Sequence, residues 1–286
     1  MIITKKAAGL KNALERHRKN NKKIGFVPTM GALHQGHLSL IEKSQTENDI
    51  TVCSIFVNPT QFNEADDFKK YPRTVTSDIN LLEKSNTDLL FLPEVVEVYP
   101  KGTESDPVYD FEYLETVMEG AHRPGHFKGV AQVVARLLEI VQPDKLYLGQ
   151  KDYQQCLILQ KLINEILKWD IQIKVCPIIR EDNGLAMSSR NARLSTDERA
   201  KAGAISQTLL FIKEQAGKKP LFQVKKEAME KLKSVDIIGE VEYLEIADAD
   251  TLKDVKEWDD SQNLIACVAV RVGDIRLIDN MFISRD

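Results

Sequence analysis

Two histidines and two glycines fall within Pro28-Thr29-Met30-Gly31-Ala32-Leu33-His34-Gln35-Gly36-His37, directly after an apolar run at 24–27. A strand-to-helix junction of this kind suits a triphosphate. Glycines let the backbone approach closely, helix N–H groups face outward, and imidazoles donate to phosphate oxygens. The His-x-Gly-His spacing points to chemistry at the α-phosphate of a nucleotide rather than to dinucleotide holding. His34 and His37 are three apart, so a first helical turn puts them on one face. The plainer alternative is a pair of turn histidines bonded to local backbone.

Further candidates lie far along the chain. Gly149-Gln150-Lys151-Asp152 follows the apolar run 145–148, so Lys151 stands at a strand end and can place a point charge on phosphate. Asp152 is a candidate helix cap or a contact to ribose or adenosine. Met187-Ser188-Ser189-Arg190-Asn191 carries two hydroxyls and a guanidinium, a set suited to β- and γ-phosphates, in a polar loop with the character of a closing lid. Asn58-Pro59-Thr60-Gln61-Phe62 ends another apolar run. The carboxamides of Asn58, Gln61 and Gln155 both donate and accept, which suits a small hydroxy acid. Arg123-Pro124-Gly125-His126 is either part of an anion site or a turn set by its glycine and proline. Asp110, Glu112, Glu115 and Glu119 do not form a metal cage by spacing. The expected metal is therefore Mg²⁺ arriving with nucleotide phosphates.

The elements that must position these residues alternate. Strands are expected at 24–27, 50–57, 89–92, 145–148 and 171–176, and helices at 37–46, 75–84, 127–141 and 153–168. Short strands apolar on both faces imply a doubly wound parallel α/β sheet covered by helices, a Rossmann-like domain over 1–181. Ligands in such sheets bind beyond the strand C-termini at the switch point. From about 182 the pattern changes to helices at 196–215 and 222–233, then strands at 241–246, 264–270 and 275–278. This reads as a smaller α+β domain, 182–286, with Ser195 or Thr196 as a helix cap. The lysines between 213 and 233 alternate with glutamates, as on a solvated helix face.

Bulk properties narrow the function classes. The chain has 286 residues, 43% of them hydrophobic, and a formal net charge of −4, which argues against a general nucleic-acid or anionic-membrane binder. Cys53, Cys156, Cys176 and Cys267 lie far apart without zinc spacing, so buried reduced thiols are expected. The N-terminus lacks a signal-peptide core and no run approaches a membrane span, which gives an expectation of a soluble cytoplasmic protein.

The motifs quoted above, together with Phe26-Val27, Phe56-Val57, Tyr71-Pro72-Arg73 and Tyr153-Gln154-Gln155, resemble the pantoate–β-alanine ligase family in order from about residue 24 to 193. A weaker likeness continues through Glu242-Tyr243-Leu244-Glu245-Ile246-Ala247-Asp248. The resemblance implies the His-x-Gly-His nucleotidyltransferase superfamily, with the fold of class I aminoacyl-tRNA synthetases. It further implies an ATP-dependent ligase of coenzyme A biosynthesis: pantoate carboxylate attacks the α-phosphate, pyrophosphate leaves, and the β-alanine amine attacks the pantoyl adenylate to give pantothenate and AMP. By the same likeness Met30, His34, His37, Gly149, Lys151, Asp152, Ile179, Met187, Ser188, Ser189 and Arg190 line the ATP site, and Gln61 and Gln155 hold pantoate. His37 takes the family's proton-donor role, with His34 and Lys151 beside it as charge stabilisers. A homodimer through the first domain is also implied. Two departures are Asn183-Gly184, where the family usually has Asp-Gly, and Ile179, where valine is common. Two other readings use the same residues: a nucleotidyltransferase that releases its adenylylated product, and a nucleotide sensor without turnover.

Overall fold

The computed structural model describes residues 1–62, 65–103 and 107–283. β1 (Ile2–Thr4) and α1 (Ala7–Arg18) open the chain; neither stands out in the sequence. Leu10 and Leu14, four apart, are the buried residues of α1. β2 (Ile24–Thr29) runs two residues beyond its expected end and leads into α2 (Gln35–Glu47). β3 (Ile50–Ile55) is buried at every position, as a central parallel strand must be. Short α3 (Ala65–Lys70), then α4 (Val75–Lys84), β4 (Leu89–Phe91), α5 (Val95–Val98) and α6 (Met118–His122) follow. α7 (His126–Val141) packs a broad apolar face into the core and turns Lys128, Gln132, Arg136 and Glu139 outward. β5 (Lys145–Gly149), α8 (Tyr153–Lys161) and β6 (Gln172–Cys176) complete this part. The expected helix at 153–168 changes to a π turn over Leu162–Ile166.

The six strands form one parallel sheet in the order β1-β4-β3-β2-β5-β6. Strand order runs one way from β2 through β3 and β4, and the other way through β5 and β6. The switch point therefore lies between β2 and β5. Their C-terminal ends carry the two loops that begin at Met30 and Gln150.

The second part holds α9 (Thr196–Lys201), α10 (Ala204–Gln215) and α11 (Leu221–Lys233). They pack on a small antiparallel sheet of β7 (Glu240–Asp248), β8 (Leu264–Val272) and β9 (Ile275–Ile283). Ser195 caps α9 in a reciprocal box with Glu198. The single helix expected over 196–215 is two helices. A Cβ on Gly203 would lie 2.4 Å from the Asn183 carbonyl, so glycine lets the 183 turn press against the chain where the helix breaks.

Each part has its own hydrophobic core. A charged clasp joins them. Glu119 on α6 accepts two hydrogen bonds from the Arg276 guanidinium, both 2.7 Å, and one from the Tyr243 hydroxyl at 2.7 Å. Arg276 Nε also donates to Glu242 at 2.7 Å. Burial opposes ionisation of Glu119, but Arg276 prevails and holds the carboxyl down at about 2. The four cysteines are free and buried. Burial pushes the Cys53 thiol up to about 12 and raises the other three, so all stay protonated.

Candidate active site

The loop after β2 is held by a buried carboxylate far along the chain. Asp78 on α4 is 1% exposed; its two oxygens accept from Ala32 N at 3.0 Å and Leu33 N at 2.8 Å. Thr74 donates to the same group at 3.1 Å. Gly31 has φ +83°, and a Cβ there would meet Ile55 and Asp78 at 3.0 and 3.1 Å, so the turn needs glycine. Ala32 also sits in the left-handed region, at φ +49°. The loop is thus strained and over-determined by its partners.

The turn delivers His34 as the N-cap of α2 and His37 to its third position. Gly36 N donates to His34 Nδ1 at 3.2 Å, and His34 N donates to His37 Nδ1 at 3.3 Å. The imidazoles make a capping box in place of the usual hydroxyl and carboxylate. The rings lie 4.1 Å apart. Burial, then the positive charge of Lys151, pushes His34 down to about 4. Burial, then His34, pushes His37 down to about 3. With each Nδ1 accepting a backbone N–H, the proton of the neutral ring is on Nε2. Two neutral N–H donors result. The histidines bond local backbone, as the plainer alternative has it, and they also face a cavity.

That cavity, about 220 Å³, lies at the switch point. The structure brings Met30, His34, His37, Gln61, Gly149, Lys151, Asp152, Gln155, Ile179, Met187, Ser188, Ser189 and Arg190 together as its lining, from four separate stretches of sequence. Val130, Val133, Val134 and Leu137 of α7 supply an apolar wall that the sequence reading did not assign. Met187 N donates to Ile179 O at 3.0 Å, so residues 179–187 fold back on themselves and present the serine loop. Ser189 Oγ donates to Ala32 O at 2.9 Å, tying that loop to the histidine turn. Ser188 Oγ accepts from Arg190 N at 3.2 Å, and the Arg190 guanidinium lies over the Tyr71 ring at 5.7 Å. Asp152 occupies the N-cap position of α8 but makes no side-chain cap bond. Its carboxylate lies 3.8 Å from Lys151 Nζ instead.

Asn58 takes a different place from the substrate contact expected of it. It is 1% exposed, donates to Gly129 O at 3.2 Å and Thr60 Oγ1 at 2.9 Å, and accepts from the Tyr99 hydroxyl at 3.0 Å. Its amide also reaches Gln61 Oε1 at 3.3 Å. α7 covers it because Gly129 lets the helix approach Thr60, whose carbonyl would be 2.4 Å from a Cβ. Asn58 therefore holds Gln61 from behind. Gln61 Nε2 in turn reaches Met30 Sδ at 3.0 Å.

A second cavity, about 250 Å³, shares Lys151, Asp152, Ser188 and Arg190 with the first. Arg123, Arg193, Arg271, Arg276 and Lys70 also line it and outnumber its carboxylates, Asp66, Glu119, Asp152 and Asp274, with which several of them pair. The 123–126 segment is a turn set by its glycine, and it also brings an arginine to this cavity. Gly125 has φ +80° and Arg123 faces this cavity. His126 is buried between Gln61 O, 2.8 Å from Nδ1, and Arg123 Nη1, 3.0 Å from Nε2. Burial and then Arg123 push His126 down to about 4. Among the described residues no cluster of three histidine, cysteine or carboxylate side chains forms a metal cage, and no helix is long and apolar enough to cross a membrane.

Residues 2–282 match the family model for pantoate–β-alanine ligase. Pantothenate synthetase of Bacteroides thetaiotaomicron is 46% identical over 264 residues, 92% of each chain. The crystal structure of pantothenate synthetase from Thermus thermophilus superimposes with a TM-score of 0.92 at 40% identity, covering all of both chains. The Francisella tularensis pantoate–β-alanine ligase, solved with a β,γ-ATP compound and β-alanine, gives 0.79 at 34% identity over 98% of this chain and 97% of that one. With the family model matched over residues 2–282 and likeness over nearly the full length of its relatives, this chain belongs to the pantoate–β-alanine ligase family and is a ligase.

Proposed function

We propose that the chain condenses pantoate with β-alanine at the expense of ATP, through a pantoyl adenylate. The observation that carries this reading is that His34, His37 and Lys151 line one cavity, each histidine with its Nδ1 taken up by a backbone N–H. A pantoate carboxylate oxygen bonds to the α-phosphorus while the bond to the bridging oxygen of pyrophosphate breaks, and pyrophosphate takes the electron pair. His34 and His37 donate to the α-phosphate oxygens as their charge grows; Lys151 and the 188–190 loop hold the leaving phosphates. No protein nucleophile is needed, so positioning does most of the remaining work. His37 acts as a neutral donor, and proton transfer to the leaving group is not required of it. In the second step the β-alanine nitrogen bonds to the acyl carbon, AMP leaves, and the amine proton is lost to solvent.

The aliphatic wall of α7 faces the carbon skeleton of pantoate, and Gln61 and Gln155 take its hydroxyl and carboxylate groups. The cationic second cavity takes the pyrophosphate end. Mg²⁺ carried on the phosphates supplies charge neutralisation when bound, and Asp152, the carboxylate common to both cavities, is placed to share it. Residues 182–286 act as a lid domain that excludes water from the adenylate. The likeness to the family further supports a homodimer and a cytoplasmic location.

Exchange of labelled pyrophosphate into ATP tests the reading. Exchange that requires pantoate, with AMP release that requires β-alanine, is expected. Exchange without pantoate, or AMP-free product, overturns it.

A further inference from the structure

We infer that Asp279 and Asn280, consecutive residues of β9, are positioning residues that set Lys151 in register with the serine–arginine loop. The inference rests on the reading that Lys151 and Arg190 hold nucleotide phosphates. Consecutive side chains on a strand leave it on opposite sides, so one dipeptide reaches both the Lys151 loop and the 179–187 fold-back. Asn280 is 2% exposed. Its Nδ2 donates to Gln150 O and to Lys151 O, each at 2.9 Å, and its Oδ1 accepts from Gln150 Nε2 at 3.1 Å. All of its carboxamide contacts thus go to the two residues that end at Lys151.

Asp279, 3% exposed, reaches the fold-back. It accepts a two-pronged pair from Arg180, at 2.6 and 3.0 Å. Arg180 sits at the base of the 179–187 fold-back, pairs with Ala186, and also donates to Gly184 O at 3.0 Å. The fold-back leads directly into Met187 and the serine loop. Asn280 N donates to Asp279 Oδ1 at 2.8 Å and Arg180 reaches Asn280 O at 3.4 Å, so the two halves are locked to each other. Lys151 has a long flexible stem, and a point charge on such a stem is useful only where its backbone is fixed. β9 fixes it from the second sheet, which makes phosphate holding depend on the two sheets keeping their relative position.

The test is the calorimetric dissociation constant of β,γ-methylene-ATP for wild type, Lys151→Ala, Asn280→Ala and the double variant. Asn280→Ala is expected to weaken binding about tenfold, within the range seen when a charged contact is misplaced by an ångström. In the Lys151→Ala background the same change is expected to cost less than about twofold, because its effect runs through the missing ammonium. Unchanged binding by Asn280→Ala, or the full tenfold loss repeated in the double variant, overturns the inference; a merely structural asparagine gives one of these. Unchanged binding by Lys151→Ala overturns instead the phosphate role of Lys151. If Asn280→Ala does not fold, Asp279→Asn keeps the shape of the side chain and carries the test. Weakened analogue binding that vanishes in an Arg190→Ala background supports the inference, and undiminished binding overturns it.

Discussion

At the scale of single residues, the histidine pair separates two jobs that are usually confounded. Nδ1 of each ring serves the helix cap, and in the proposed mechanism Nε2–H serves the ligand. His37→Asn keeps a short polar group for the cap and removes the Nε2–H. Turnover is expected to fall by about 10² to 10³, the loss typical of removing one donor to a developing oxyanion, with a melting temperature within a few degrees of wild type. Parallel thermal melts and exchange assays check this; near-normal turnover removes His37 from the chemistry. Low imidazole pKa values also fix a pH response. His34, His37 and His126 are held at about 4, 3 and 4, whereas the unfolded chain protonates them below 6.5. The unfolded state therefore binds more protons below pH 6.5. Stability is full above that pH and falls as pH drops toward 4, by about 1.4 kcal/mol per pH unit for each fully affected histidine. Urea midpoints between pH 7.5 and 5 measure the slope. A flat profile would show that these rings are not held neutral.

At the scale of elements, the histidine turn depends on a helix that carries no chemistry of its own. Asp78→Ala leaves the Ala32 and Leu33 amides buried without acceptors, and a loss of about 3 kcal/mol is expected, since each orphaned donor costs about 1–3. The loss should appear in the denaturant midpoint together with a drop in exchange activity. Nothing in the sequence marks Asp78, because the backbone groups it holds in the histidine turn are about 45 residues away. The same blindness applies to Asn280, whereas the His-x-Gly-His and Lys151 stretches are legible because glycines and polar groups interrupt apolar strands. Asn58 was legible as polar but not as buried; only the close approach allowed by Gly129 decides that. Asn183 is explained by its surroundings. Its Nδ2 donates to Arg199 O at 2.7 Å and Ala200 O at 3.1 Å near the C-terminal end of α9. Asn183→Asp replaces that donor with an anion facing carbonyls, and a loss of about 1–2 kcal/mol is expected by the same melts.

At the scale of the molecule, the parallel sheet was readable from five apolar runs, but β1 and α1 were not. β1 has three residues with Ile2 and Ile3 largely exposed, and α1 buries only Leu10 and Leu14, so neither gives a strong period. The join between the two cores was also hidden, because Glu119, Glu242 and Arg276 become neighbours only in three dimensions. Glu119→Gln keeps the shape and removes the charge opposite Arg276. A drop in stability of about 3 kcal/mol is expected, as for breaking a buried pair, and thermal melts read it directly. Lost exchange activity before unfolding would place the clasp in control of the site as well.

The protonated, buried state of all four thiols has a practical use. Native protein offers maleimide reagents no thiolate, so a cysteine introduced at an exposed position becomes a single attachment point. Val108 is 73% exposed beside the parallel sheet's core and Phe222 is 71% exposed on α11. A donor dye at one and an acceptor at the other would report, molecule by molecule, whether the second sheet swings toward the first when nucleotide arrives, with no native residue removed from the pocket.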